Sequence, residues 1–294
     1  MDRLPFQFGN AAGWPKTLAG VAKIAGVPLV THIRAGSFAV QPRSERGGGT
    51  DFDVLEDGTA SNNRNLPNGG IDDVYVLGRA MVNIAHNAGK RLIISGAPFS
   101  AEDDGLLAKA ALAIGADGYE SCRSCPNTEA SIICFDHGFM AECDAAVDYE
   151  IGLELPWWRK VSPYVNPRDR EIEAEQTFRC TARGIVSCNT FPGARLRRDG
   201  KPIITARGAN GLGGMSGEGL RYVAQINIEH FCELLRGMRK EVIGVGGISR
   251  AEHVEWCLSV GCAGVQVAAA LFKSEDPKVL QQLAEDWVFK YQMI

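Results

Sequence analysis

The sequence has no surplus of positive charge. Its 31 Lys and Arg residues stand against 35 Asp and Glu, a formal net charge of −4, so nothing draws the chain toward nucleic acid or an anionic membrane surface. A small-molecule partner is expected instead. No apolar run approaches the roughly 18 residues that span a bilayer, and the opening MDRLPFQFGNAAG lacks the apolar stretch of a secretory signal. A cytoplasmic location without a membrane partner follows as the expectation. Also missing is a second C-x-x-C or a spaced histidine pair to accompany Cys122 and Cys125, so no metal is expected. The nine cysteines are odd in number and several lie inside apolar patterns, where reduced thiols pack as small hydrophobes. A disulfide framework is not expected.

What is present is enough apolar material for a large core: 45% of 294 residues. Short runs of buried-strand character recur at Phe6 to Asn10, Leu29 to Ile33, Arg91 to Ser95, Gly118 to Ser121, Trp157 to Val161, Gly184 to Cys188, Glu241 to Val245 and Ala263 to Ala268. Amphipathic stretches such as TLAGVAKIAG, DDVYVLGRAMVNIAHNAG and SRAEHVEWCLSVG separate them, several stopping at Gly. Strands alternating with helices predict an α/β protein, a single (β/α)8 TIM barrel over residues 1–294. A doubly wound open sheet shares the local pattern, but NAAGWPKT after the first strand is not a dinucleotide fingerprint. The polar segment from Arg34 to Gly70 is too long for an ordinary connection and reads as disordered or as a lid-like loop after the second strand.

Four motifs can carry chemistry. SCRSCPN, Ser121 to Asn127, directly follows a strand run and so falls on the face where barrel active sites sit. Its Cys125 is either an acid–base thiol or a bystander in a turn shaped by Pro126 and Asn127. ASNNRNLPNGG, Ala60 to Gly70, offers the amides of Asn62, Asn63, Asn65 and Asn68 to a polar planar ligand and Arg64 to a carboxylate; the same residues are also ordinary turn formers. GANGLGGMSGEG, Gly208 to Gly219, with Gly246-Gly247 after VIGV, forms the late-barrel arrangement whose backbone N–H groups and helix start hold phosphate. Lys160, near the end of the run holding Trp157 and Trp158, is placed at the barrel mouth, as are Asn189 and Thr190 after GIVSC.

In this order the motifs resemble the soluble class-1 dihydroorotate dehydrogenases: N-A-x-G, N-x-x-x-L-P-N, S-C-P-N, a strand-end Lys, an N-[ST] pair, G-x-G-G and G-G-I, from Asn10 to about Lys273. The resemblance implies an FMN enzyme, a homodimer, that oxidises dihydroorotate to orotate. By likeness Cys125 is the base that removes a proton while hydride passes to flavin N5. Ala12, Gly13, Thr31, His32, Lys160, Gly213, Gly214, Gly246, Gly247, Ala268 and Ala269 fall to the cofactor, and Asn62, Arg64, Asn65, Leu66, Asn127, Asn189 and Thr190 to the substrate. A free thiol titrates near 8.5, and a modest lowering makes it a usable base.

Three positions depart from the family pattern. Thr31-His32-Ile33 is compared with a T-K-S strand end, Cys122 stands for an asparagine three residues before the cysteine, and Ala268-Ala269 stands for G-T. The departures fall on the substrate half of the resemblance more than on its phosphate half. The other readings are a flavoenzyme for another dihydropyrimidine or enoate, with Arg34, Arg43 or Arg64 as a new carboxylate contact, and a non-redox barrel holding a phosphorylated metabolite.

Overall fold

The computed structural model describes residues 5–125, 133–274 and 276–292. β1 (Gln7–Asn10) leads through α1 (Leu18–Ala25) to β2 (His32–Phe38). The connection onward to α2 (Ile71–Asn87) carries β3 (Phe52–Val54) and β4 (Thr59–Asn62). β5 (Arg91–Gly96), α3 (Ala101–Ala113), β6 (Gly118–Cys122), α4 (His137–Ile151), β7 (Trp157–Val161), α5 (Pro167–Arg179) and β8 (Gly184–Ser187) then alternate. A second excursion holds β9 (Phe191–Ala194), β10 (Arg197–Arg198), β11 (Lys201–Pro202) and β12 (Gly213–Gly217) before α6 (Arg221–Leu234). β13 (Glu241–Val245), α7 (Ala251–Ser259), β14 (Gly264–Val267), α8 (Ala269–Ser274) and α9 (Lys278–Tyr291) complete the chain.

Eight parallel strands close in the order β1, β14, β13, β8, β7, β6, β5, β2, and β2 pairs back onto β1. The (β/α)8 barrel expected from the alternation is the fold observed. Local chemistry agrees with it. Ser100 caps α3 by accepting from the Asp103 N–H, and three acidic residues occupy that helix's first turn, where the dipole favours them. Asn166 caps α5, with Pro167 at its first helical position. The main core lies between strands and helices, with Phe8, Ile33, Leu92, Trp157, Ile185 and Val265 buried against the helical ring. No helix among the described residues is long and apolar enough to cross a membrane.

The barrel's interior mixes a small apolar cluster, including Ile93, Trp158 and Ile243, with paired charge. Arg34 and Lys160 flank Glu120 at 3.3 and 3.4 Å, and Gln266 donates to the same carboxylate at 2.7 Å. Arg34 also donates to Gln7, which in turn donates to Glu241. Buried charge persists only when partnered this closely.

Two sequence expectations are corrected. The second strand is His32–Phe38, not Leu29 to Ile33. Leu29 and Val30 are buried without being strand, whereas the strand carries Arg34, Gly36 and Ser37, whose polarity hid it. The segment from Arg34 to Gly70 is accordingly strand at its start, and further on it is neither plain loop nor structureless. β3 and β4 join β12 and β9 in a four-stranded antiparallel sheet. β12, sequence GGMSG, was not among the expected strands, because three of its five residues have no side chain to pack.

Candidate active site

At the C-terminal ends of the barrel strands lies a cavity of about 690 Å³, within the size range of cofactor sites. Ala12 and Gly13 after β1, Cys122 and Cys125 at the end of β6, Lys160 of β7, Asn189 and Thr190 after β8, Gly246 and Gly247 after β13, and Ala268 and Ala269 after β14 all line it. Asn62 at the end of β4, and Arg64 and Leu66 in the β4–α2 connection, reach it as well. Most of the residues singled out in the sequence thus meet in one place.

Others do not. Thr31 and His32 lie at the start of β2, where His32 pairs in register with Arg91, the first residue of β5; Ser37, at the far end of β2, is the residue that lines the cavity. Placing this strand at Leu29 to Ile33 rather than His32–Phe38 put the comparison with a strand-end lysine at the wrong end of the barrel. Gly213 and Gly214 are buried in β12, in register with Ala194 and Asn62 respectively, and do not line the cavity; Ser216 and Gly217 do. Asn65 is turned to Arg43 and to the Ser44 carbonyl. Asn63 bonds Arg46 and the Leu212 carbonyl, and Asn68 holds the Ala39 and Gly70 N–H groups. These three amides are engaged in holding the loop itself. Arg34 is tied to Glu120 inside the barrel. Asn127 lies outside the described residues.

The glycine cradle is dictated by sterics. Gly247 has φ +71°, and a Cβ there would stand 2.8 Å from both the Arg221 Cβ and the Gly217 carbonyl oxygen. Gly217 has φ +68°, and its Cβ would fall 2.1 Å from the Gly58 carbonyl oxygen. Only glycine fits either backbone. These bare segments, with Ser249 and Arg250 beside them, form one wall of the cavity and suit the close approach of a phosphate.

The opposite wall carries the thiols. Cys122 pairs in register with Lys160, and the Ser124 hydroxyl donates to the Lys160 carbonyl at 3.0 Å, fixing the first turn of the Cys125 loop to β7. Asn189 donates to the Ser124 carbonyl at 3.1 Å and to the Cys122 sulfur at 3.4 Å, while its own carbonyl accepts from the Thr190 N–H. Its amide is thus engaged in holding the cysteine loop. Burial pushes the Cys122 thiol up despite the nearby Lys160, and burial pushes Cys188 up to about 12. For Glu120, burial resists ionisation, but Lys160 and Arg34 outweigh it and hold the carboxyl below its ordinary value. None of the nine cysteines is in a disulfide.

Several features carried no sequence signal. Gln266 reaches the cavity wall from inside a strand, and its carbonyl oxygen is buried without a hydrogen-bond partner among the described residues, as is the Thr190 hydroxyl. Leu66 lines the cavity at φ +57°, a conformation a branched side chain rarely adopts and one that clusters at functional sites. Lys16, in the β1–α1 loop, also lines the cavity; a lone lysine beside Pro15 offered no pattern to detect.

The fold and this cavity define a (β/α)8 barrel protein whose strand ends gather a thiol, a buried ammonium and a glycine cradle around one ligand site. The chain belongs to the dihydroorotate dehydrogenase family, which it matches over residues 3–287. It is similar to the dihydroorotate dehydrogenase A (fumarate) of Lactobacillus helveticus, 28% identical over 226 residues, covering 76% of this chain and 69% of the relative. It is also similar to the catalytic subunit of dihydroorotate dehydrogenase B (NAD(+)) of Solidesulfovibrio magneticus, 35% identical over 156 residues, covering 52% of this chain and 48% of the relative. With the corresponding Staphylococcus carnosus subunit the share is 50% of the relative, so the chain spans about half the length of these two relatives. Among solved structures, ligand-free DHODH of Eimeria tenella superposes with a TM-score of 0.77 at 15% identity, covering 98% of this chain and 84% of that one; this likeness is one of fold.

Proposed function

We propose that the chain is an FMN-dependent oxidoreductase that oxidises dihydroorotate to orotate, with Cys125 as the proton acceptor. The observation that carries the reading is that Cys125, Lys160 and the Gly217/Gly246/Gly247 cradle line a single cavity in a chain of this family. The residues fit the cofactor. The cradle has no room for side chains, the Thr190 hydroxyl and Gln266 carbonyl have no hydrogen-bond partner among the described residues and could meet a polar ligand, and Lys160 brings a buried cation to the cavity. Bound FMN supplies the hydride acceptor. Lys160, its own charge steadied by Glu120, would supply the positive charge that favours the reduced, electron-rich cofactor. Cys125, as thiolate, takes the proton from one ring carbon as hydride leaves its neighbour, and ends as a thiol. Asn189 and Ser124 keep the cysteine loop against β7 while this happens. A cytoplasmic homodimer belongs to the same reading, resting on family likeness.

The experiment is a spectrum. Purified protein is expected to be yellow with bound FMN and to bleach anaerobically on adding dihydroorotate. Bound flavin that does not bleach points to another dihydropyrimidine or enoate, and a colourless protein that takes up no FMN overturns the cofactor assignment.

A further inference from the structure

Lys16 sits in the β1–α1 loop and faces the thiol end of the cavity. Its ammonium donates to the Pro67 carbonyl at 2.6 Å, which ties it to the Leu66-Pro67 wall. No carboxylate lies within ion-pair distance of it among the described residues. The charged and titratable groups around it are Arg64 from the β4–α2 connection, Glu45 from the β2–β3 connection, and Cys125 and Cys122 from the end of β6. Glu45 is already bonded to Arg64 at 3.1 Å, and Arg64 is also held by Asp51 at 3.3 Å. Lys160 is matched by Glu120, and Ser37 at the end of β2 brings no charge. At the thiol end, Lys16 is the cation that no carboxylate among the described residues pairs with directly, Glu45 acting on it only from a distance. A half-buried ammonium held so is a site for an anion.

We propose that Lys16 is a substrate-binding residue that pairs with the carboxylate of an anionic ring substrate and sets the ring beside Cys125. The inference rests on the oxidoreductase reading of the cavity and deepens it by naming the group that selects a carboxylate-bearing ring over a neutral one. Burial, aided by Arg64, lowers Lys16 to about 8. Affinity for the anion is therefore level below that pH and falls above it as the ammonium loses its proton, and binding above it takes up a proton.

The test uses flavin-loaded protein and two probes, orotate and uracil, which present related rings with and without the carboxylate, titrated by calorimetry. Lys16→Gln is expected to weaken orotate by roughly 10- to 100-fold, as for the loss of one charge-assisted hydrogen bond, and to leave uracil unchanged. Lys16→Arg is expected to restore orotate binding and abolish the fall near pH 8. Equal orotate affinity in wild type and Lys16→Gln overturns the role of Lys16 while leaving the enzyme reading intact. Loss of both probes to the same degree in Lys16→Gln assigns Lys16 to pocket shape and overturns the proposal. Flavin-loaded wild type that binds neither probe overturns the substrate reading, and this inference with it.

Discussion

The Lys160 ammonium lies 3.4 Å from the Glu120 carboxylate, with side chains only 5% and 1% exposed. Arg34 approaches the same carboxylate at 3.3 Å, so one anion serves two buried cations beneath the cavity. Glu120→Gln leaves both cations without it, and breaking a buried pair in this way costs about 3–5 kcal/mol. The sign with pH follows from the depressed carboxyl. The stabilisation is present above the ordinary 4.5 and is lost as pH falls through the lower folded-state value. Urea unfolding of wild type and Glu120→Gln should show the full gap at neutral pH and a closing gap below pH 4.5. An unchanged gap in acid would mean that Glu120 is held by packing rather than charge.

The C-x-x-C pair is chemically unequal. Cys122 is 6% exposed and its thiol is pushed up by burial, whereas Cys125 is half-buried on the cavity wall. Iodoacetamide at pH 8 should label Cys125 well before Cys122 or Cys188, as read by peptide mass spectrometry. FMN or orotate, added first, should protect it. Cys125→Ala should retain flavin and reduce it orders of magnitude more slowly; unchanged reduction removes Cys125 from the mechanism.

Most of the barrel was legible because its strands are apolar on both faces, as at Leu92-Ile93-Ile94 and Val242-Ile243. β2 was misplaced because its inward residue Arg34 is neutralised by Glu120, more than 80 positions away in the chain, a partnership no local pattern displays. Cys125, Lys160 and Gly246-Gly247 were found because strand ends and glycine pairs leave local marks. Gln266 and Lys16 were missed because what holds them on the cavity wall is a distant partner, Glu120 for one and the Pro67 carbonyl for the other. The asparagine-rich stretch shows the converse: four amides looked alike in sequence, and only the fold separates Asn62, on the cavity wall, from Asn63, Asn65 and Asn68, which hold the loop.

Asn189 should act on rate more than on substrate affinity. Its amide is directed at Ser124 and Cys122, so Asn189→Ala releases the loop that presents Cys125. A misplaced base costs up to about 100-fold in rate. The expected steady-state signature is a lowered kcat with KM changed little and flavin content unaltered. A raised KM at constant kcat would instead make Asn189 a direct substrate contact.

Gly247 gives the sharpest test of the cradle. Alanine there is strained twice, by φ +71° and by the 2.8 Å approach to Arg221 and Gly217, and should destabilise the fold by about 1 kcal/mol or more. Strain alone does not report on a ligand, so Gly261→Ala serves as the comparison. Its φ is +109°, its nearest neighbour is the Cys232 Cβ at 4.0 Å, and it lies outside the cavity lining. Both variants should lower the urea midpoint. Only Gly247→Ala should lower the flavin-to-protein ratio after purification and reconstitution with FMN. Equal flavin retention in the two would place the phosphate away from the β13 turn, and the glycines there would then serve only the packing of α6 against the barrel.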